Sequence, residues 1–237
     1  HAGMIVSSGN LVVGGYAAFL GTETTPRVLV TRFDLSGPGC NLDDSFSGNG
    51  WAIFDDESFC DTEDCDVLDL VEIRPATGAV VAPRIVALVR SEVNFLAARF
   101  FLLGLTASGA IDTGFSGDGW MEVTKSGIGP LYPQASLAVD GVGRLYVLAA
   151  RYEPDTIDID TLLFRYLANG ALDSDFAVAG MALLEDHGPN DTFDPLPRDV
   201  ASSPDGTSVS VYQYDADEAK IITYRSAPES AILLEQL

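Results

Sequence analysis

Positive charge is scarce in this chain of 237 residues, which has 13 lysines and arginines against 35 aspartates and glutamates. The resulting formal net charge of −22 repels the phosphate backbone of nucleic acids and the headgroups of anionic lipids. The sequence therefore predicts no nucleic-acid partner. Its acidity favours a solubilising surface for a protein that is exposed to a salty or extracellular medium.

Long apolar runs and histidines are also rare. No run reaches the ~18–20 apolar residues that a membrane helix needs, so we predict no insertion into a membrane. The two histidines are His1 and His187, and no G-x-S-x-G elbow, C-x-x-C pair or complete D-x-[DN]-x-[DN]-G calcium loop occurs. The sequence leaves enzymatic activity open, and these absences argue against it.

One motif occurs three times along the chain. Residues 42–46, 111–115 and 172–176 each have Asp as the second and Phe as the fifth residue, and a Gly follows four residues after each Phe. Consecutive aspartates are 69 and 61 residues apart, a period typical of propeller blades or of units in an array. The recurring residues are Asp43, Asp112 and Asp173 with Phe46, Phe115 and Phe176.

We expect these recurring residues to have structural roles. An Asp at the start of a turn accepts a backbone N–H bond from two residues on. Each Phe is placed to bury its ring between adjacent sheets, which is worth roughly 1.5–3 kcal/mol. Arg32, Arg165 and Arg225 fall in the strands before the turns, and we expect them to pair with carboxylates rather than with a ligand. In the alternative hypothesis, the three aspartates ring a pore and bind a cation.

Four β-rich segments surround each copy of the motif, and a fourth, shorter set of such segments begins at residue 199 without the motif. Two are joined by a Gly turn, a third precedes the motif and a fourth follows it. Many of these segments are apolar on both faces, as in strands that are covered from both sides. Only residues 91–101 suggest a helix as well, and their β-branched and aromatic content also fits a strand. The predicted strands are 4–6, 11–16, 27–34 and 51–54; 67–73, 79–81, 95–105 and 120–123; 135–139, 144–150, 161–167 and 181–184; 199–201, 208–212, 220–225 and 231–234.

This pattern predicts an all-β protein. Four-stranded antiparallel units in tandem are typical of propeller blades. We expect one repeat domain over residues 1–237, a propeller-like array of four four-stranded antiparallel blades that forms either a closed small propeller or an open arc. The approximate blades are 1–57, 66–125, 133–186 and 197–237.

The order and recurrence of these motifs resemble the delta-60 repeat of secreted bacterial proteins. Arg165 and Tyr166, followed by residues 169–176, match its pattern best, whereas Gly104 stands where the second copy would have its arginine. The last copy keeps Tyr224 and Arg225 but lacks the Leu-Asp-x-x-Phe motif. The resemblance implies a propeller-like fold and a secreted, periplasmic or cell-surface protein. It implies no particular reaction.

Three cysteines allow one disulfide. If residues 51–54 form a strand, Cys40 and Cys60 lie at its opposite ends, and a rise of ~3.3 Å per residue places them beyond disulfide reach. We therefore predict a disulfide between Cys60 and Cys65, with Cys40 unpaired.

Calcium is the cofactor for which the chain offers candidate ligands. Asp158 and Asp160, with Asp215 and Asp217, occupy equivalent loops between the second and third strands of the last two copies. At a period of two, Asp158 and Asp160 point the same way, and clustered carboxylates suit a hard cation. In the alternative, these residues are solvated loop tips.

These observations favour a non-catalytic extracellular scaffold that acts as an adhesion or binding module. Its partner would be a protein or glycan at the cell exterior, or further copies of itself. One alternative is a metal-dependent hydrolase or lactonase-like propeller enzyme, by analogy of fold alone. Another is the repeating subunit of a surface filament, because unpaired terminal strands invite association.

Overall fold

Antiparallel β-strands make up the protein in its computed structural model, which describes residues 4–7, 9–17, 27–55, 60, 64–74, 83–94, 96–153, 158–185, 196–214, 219–226 and 232–233. These ranges contain seventeen strands and no helix, which confirms the all-β prediction. The same ranges accordingly hold no helix of the length and hydropathy that crossing a membrane requires.

The chain divides into two compact units, each with the strands of two predicted copies. Unit 1 comprises His1–Val93 and Arg99–Glu122, and unit 2 comprises Asn94–Ala98 and Val123–Leu237. Unit 1 contains the strands β1 (Met4–Ser7), β2 (Asn10–Ala17), β3 (Arg27–Asp34), β4 (Asn41–Leu42), β5 (Trp51–Phe54), β6 (Asp64–Ile73), β7 (Arg84–Asn94), most of β8 (Ala97–Thr106) and β9 (Trp120–Glu122).

Two antiparallel sheets form unit 1. In the first sheet the order is β1-β2-β3-β4, and β5 also pairs with β3. In the second sheet β7 pairs with β6 and β9 with β8. The alternate residues Val12, Val28 and Val30 are fully buried in a core cluster with Val67 and Leu70 of β6. Gly14 allows this close approach, because a Cβ at Gly14 would collide with the Val67 side chain.

Unit 2 also contains two antiparallel sheets. Its strands are β10 (Leu131–Val139), β11 (Leu145–Glu153), β12 (Asp158–Tyr166), β13 (Met181–Glu185), β14 (Leu196–Ser202), β15 (Ser208–Tyr214), β16 (Ala219–Ser226) and β17 (Ile232–Leu233). Four consecutive strands of one eight-stranded sheet have the order β13-β12-β11-β10, and the other, four-stranded sheet has the order β14-β15-β16-β17. Ala98, which belongs to unit 2, pairs with Leu131 of β10. Tyr146 and Leu163 from one sheet share a buried cluster with Val209 and Tyr224 from the other.

The predicted strand positions agree with the structure except in the second copy. The Ala-Thr-Gly sequence at 76–78 indicated a turn leading into a strand at 79–81, but those residues lie outside the described ranges. The strand that the structure shows there is β7, which begins at Arg84 and carries a fully apolar run, 85–89, that is buried throughout. For residues 91–101 the sequence also allowed a helix, but the described residues at both ends of this segment are strand: β7 ends at Asn94 and β8 begins at Ala97.

Candidate functional site

Three corners of the chain contain an arginine, an aspartate and a phenylalanine in contact. The corner of the third copy is the most buried. Arg165 Nε donates to Asp173 Oδ2 at 2.7 Å, and the guanidinium carbon lies 4.4 Å from the centroid of the Phe176 ring. All three side chains are at least nine-tenths buried. A cation between a carboxylate and an aromatic face gains both an ion pair and a cation–π contact.

The Asp-x-x-Phe sequence folds as a turn that brings these groups together. The N–H of Phe176 donates to the backbone oxygen of Asp173 at 3.0 Å, and the N–H of Asp175 donates to Asp173 Oδ1 at 3.2 Å. The N–H of Asp173 in turn donates to the backbone oxygen of Arg165 at 2.9 Å. The ring is therefore fixed beneath the guanidinium, and it packs edge-on against Tyr146 at 6.3 Å.

The first copy builds the same corner closer to solvent. Arg32 Nε donates to Asp43 Oδ2 at 2.8 Å, and its guanidinium carbon lies 5.0 Å from the Phe46 ring centroid. The other guanidinium nitrogens donate to Ser45 Oγ and to the backbone oxygen of Ala107. The Ser45 hydroxyl and N–H both donate to Asp43, and the hydroxyl is the main reason why the pKa of Asp43 lies below its ordinary value. This carboxylate is therefore ionised at neutral pH.

In the second copy the arginine comes from a different strand. Gly104 occupies the position of Arg32 and Arg165, since its backbone oxygen accepts the N–H of Asp112 at 2.8 Å. Arg84, at the start of β7, supplies the cation instead: its Nε lies 2.6 Å from Asp112 Oδ2. This hydrogen bond is the main cause that lowers the pKa of Asp112.

The packing of this corner also requires a glycine at position 104. The Arg84 guanidinium carbon lies 5.4 Å from the Phe115 ring centroid, and Phe115 is fully buried. A Cβ at position 104 would lie 2.6 Å from the Phe115 Cβ, so only glycine fits there without a shift. Arg84 was not predicted from the sequence. The absence of an arginine at position 104 was a signal that the partner of Asp112 must come from elsewhere in the chain.

All three corners share one backbone conformation. The residue after each Phe is in the left-handed region, with φ of 54° at Ser47, 55° at Ser116 and 45° at Ala177. The glycine that follows four residues after each Phe donates its N–H to the Phe backbone oxygen, at 2.7–2.8 Å. The corner is therefore one repeated turn, whose recurring aspartates accept backbone N–H bonds and whose recurring phenylalanines are buried.

Three further aspartates have structural contacts that were not predicted from the sequence. Asp69 and Asp199 each follow a bulge in the first strand of their sheets and accept the N–H of the next residue at 2.8 Å. Asp140, which is buried, accepts the N–H groups of Val142 and Arg144 and pairs with the Arg144 guanidinium at 2.6 Å. An Asp next to an aliphatic residue within a strand, or before a Gly turn, was the available signal.

The candidate calcium ligands are only partly described. The prediction that Asp158 and Asp160 lie in a loop is wrong, because both belong to strand β12, which begins at Asp158. Asp160 is 2% exposed and accepts hydrogen bonds from Arg151 through Oδ2. The Asp158 side chain, and all of Asp215 and Asp217, lie outside the described residues, as do both histidines. Across the ranges that the structure describes, no three His, Cys, Asp or Glu side chains come together as a metal would require. A calcium site at these four aspartates stays a prediction.

Arginine in this protein is used mainly for internal pairing. Each ion pair neutralises a carboxylate, so the remaining acidic surplus defines the surface charge. Nine arginines of the described chain form salt bridges with Asp or Glu: Arg27, Arg32, Arg74, Arg84, Arg90, Arg99, Arg144, Arg151 and Arg165.

The cysteines pair as the sequence predicts. Cys60 and Cys65 form a disulfide with a Cα–Cα distance of 5.7 Å, and Cys40 is a free, exposed thiol. Cys65 is buried at the start of β6, so the disulfide ties the segment before the second sheet to its core.

No protein-family model matches the chain, and no curated protein matches it. The roles of the three corners are therefore inferred from their geometry.

Proposed function

We propose that the chain is a non-catalytic, extracellular, propeller-like scaffold that acts as an adhesion or binding module. The observation that carries this proposal is the use of the recurring charges. In each of three corners, the arginine and the aspartate form a salt bridge, and the aspartate also accepts a backbone N–H of its own turn. A side chain with that task holds the protein together and is not free to act on a substrate.

The chemistry of the corners supports the non-catalytic role. A general acid needs a carboxyl group that is protonated near the working pH. The pKa values of Asp43 and Asp112 are shifted in the opposite direction, downward, by hydrogen bonds from Ser45 and Arg84. Arg165 is almost fully buried, so its guanidinium is not available to an anionic ligand.

Consecutive antiparallel strands in all four copies, with the corner in three of them, support the assignment to a delta-60-type array. In this proposal each copy is one blade, with the bounds 1–57, 66–125, 133–186 and 197–237. The buried clusters within unit 1 and within unit 2 each join two successive copies, as neighbouring blades would.

The disulfide supports an extracellular location. A disulfide such as Cys60–Cys65 persists in secreted, periplasmic or surface proteins and is reduced in most cytosols. The acidic surface fits the same environment, and it favours a protein or glycan partner over nucleic acid.

Binding and metal analysis together test the proposal. We expect the labelled protein to bind saturably to the surface of the cells that produce it, or to their extracellular polysaccharide, and to retain that binding in chelator. We expect elemental analysis to find no stoichiometric transition metal. An enzyme of the hydrolase or lactonase type would instead hold one metal equivalent, which the substitution Asp112→Asn or Asp173→Asn would remove without unfolding the protein.

A further inference from the structure

The corner of the first copy binds a second partner besides its own turn. The N–H of Ser47 donates to the backbone oxygen of Ser108 at 2.7 Å, and the Arg32 guanidinium donates to the backbone oxygen of Ala107. Both acceptors lie in a turn at 106–109, at the end of strand β8 of the second copy. The corner of the first copy therefore contacts the following copy through two neighbouring carbonyl groups.

The backbone of this turn leaves those two carbonyl groups available. The N–H of Gly109 donates to the backbone oxygen of Thr106 at 3.0 Å, and the N–H of Thr106 donates to the backbone oxygen of Ala110 at 2.8 Å. Gly109 has φ of 85°, the left-handed conformation that closes a three-residue hairpin loop. The turn thus uses the backbone oxygens of Thr106 and Ala110 internally, while those of Ala107 and Ser108 bind the corner.

Gly109 packs against the Phe46 ring of the same corner. It is buried, although Ser108 and Ala110 on either side of it are exposed. A Cβ at Gly109 would lie 2.8 Å from Phe46 Cζ, so this contact requires glycine as the backbone conformation does. The ring shares a buried cluster with Leu105, which directly precedes the turn. The corner therefore offers donors for two carbonyl groups and an aromatic surface for one glycine.

The third copy, which follows the second corner in the sequence, has the same turn. At 167–170 the N–H of Gly170 donates to the backbone oxygen of Leu167 at 2.9 Å, and Gly170 has φ of 86°. In the first copy, the corresponding loop at 35–40 has a different sequence and is exposed throughout. The glycine turn therefore occurs in the copies that come after a corner.

The side chains of the two turns differ, although their backbones agree. In the second copy Thr106 Oγ1 accepts the N–H of Ala110 at 3.2 Å. In the third copy Asn169 Oδ1, from another position, accepts the N–H of Ala171 at 3.1 Å. Common to both turns are the backbone conformation and the glycine, which are the features that the corner of the first copy contacts.

We propose that the corner of the first copy is a docking site for the glycine turn of the following copy, and that this contact couples the folding of the two copies. The site recognises two successive backbone carbonyl groups followed by a glycine at positive φ. Contacts between neighbouring copies set the cooperativity of a repeat array, so a docking site of this kind makes the first two copies unfold together. The inference goes beyond the proposed binding role and does not depend on it.

Alanine substitutions at two glycines of unit 1 test the docking in urea denaturation. Gly109 and Gly9 both have φ of 85°, but a Cβ at Gly9 would meet nothing within 4 Å. Gly9→Ala is therefore the matched control for backbone strain, which should raise the unfolding equilibrium constant about 5–30-fold. Gly109→Ala adds the collision with Phe46 and should raise this constant at least about fivefold more. Equal effects of the two substitutions would overturn the proposal.

The two tryptophans report on the coupling, because Trp51 lies in the first copy and Trp120 in the second. The variants Trp120→Phe and Trp51→Phe each leave one of these reporters. In both backgrounds Gly9→Ala should shift the urea midpoint by the same amount, as expected of copies that unfold together. Gly109→Ala should shift the two midpoints by different amounts. Equal shifts with Gly109→Ala would show that the contact does not couple the copies.

Amide hydrogen exchange tests the docking in the folded full chain, without denaturant. Ser47 is exposed, and its N–H donates to the turn of the second copy, so we expect this N–H to exchange slowly. The double variant Thr106→Leu/Ser108→Asn gives the turn the side chains of residues 167–170 and should keep the protection, whereas Gly109→Ala should remove it. Rapid exchange at Ser47 in the wild type, or loss of protection in the double variant, would contradict a docking site that recognises the backbone of the turn.

Discussion

The corner of the third copy permits a double-substitution test of how the recurring charges act. Arg165 and Asp173 are almost fully buried, and their contact at 2.7 Å is supported by the N–H of Asp175 and by the face of Phe176. Removing one member of a buried ion pair leaves the other charge without a partner. The variants Arg165→Met and Asp173→Ala should therefore each reduce the free energy of unfolding by about 3–5 kcal/mol.

Removing both charges together should cost less than the sum of the two single changes. A buried pair that is replaced by apolar side chains leaves no uncompensated charge, so the double variant Arg165→Met/Asp173→Ala should recover part of the loss. The coupling energy between directly bonded groups is about 0.5–3 kcal/mol, which sets the expected recovery.

Urea denaturation followed by far-UV circular dichroism measures these changes. Both tryptophans, Trp51 and Trp120, lie in unit 1, so tryptophan emission reports on the other unit in the same experiment. Single variants that each lose under about 1 kcal/mol would refute the reasoning. Strict additivity in the double variant would refute it equally, since it would show that the two charges do not depend on each other.

Four further predictions address other features. Arg84→Lys should destabilise unit 1 by about 1–2 kcal/mol, because one hydrogen-bonded charge contact is lost. Tryptophan emission in urea measures this change. An unchanged midpoint would contradict the role of Arg84 in the corner of the second copy. The folded pKa of Asp112 lies below its ordinary value, so its contribution to stability is present above about pH 4 and is lost as the pH falls through the folded pKa. In an acid titration, the stability of Asp112→Asn should therefore depend less on pH than the stability of the wild type. Ala177→Gly should be tolerated, whereas Ala177→Val should lower the melting temperature, since a β-branched residue is strained at φ of 45°; equal melting temperatures would contradict this. Replacing both Cys60 and Cys65 by Ser should cost about 2 kcal/mol, the loop-closure value for so short a loop, and chemical denaturation under oxidising conditions measures it.

The sequence was sufficient to predict the local turns and strands. The Asp-x-x-Phe turn is a local structure, so three copies such as residues 42–46 were visible from spacing alone. Strand β5 was predicted with the observed bounds because its four apolar residues stand between Gly50 and Asp55, which mark its two ends. The disulfide followed from strand length, which separates Cys40 from Cys60.

Contacts between distant segments could not be predicted in the same way. Arg84 and Asp112 are 28 residues apart and on different elements, so no pattern at a fixed spacing joins them. The strand β7 was not predicted, because the Ala-Thr-Gly turn signal at 76–78 outweighed the apolar run at 85–89. Strands that are apolar on both sides were expected to be covered on both sides, and sequence alone could not indicate that Leu29, Thr31 and Phe33 on one side of β3 line a groove.

The hydrogen-bonded Nε–H groups of the three corner arginines provide the most direct test of the account. Their signals in ¹⁵N NMR spectra report on solvent exchange and on the partner of each group. In the ligand-free protein, Arg32, Arg84 and Arg165 should give slowly exchanging signals that stay unchanged during a calcium titration, and Asp112→Asn should abolish protection at Arg84 alone. Rapid exchange at Arg84, or signals that shift in a saturable way with calcium, would contradict the claim that these corners bind only the protein's own turns.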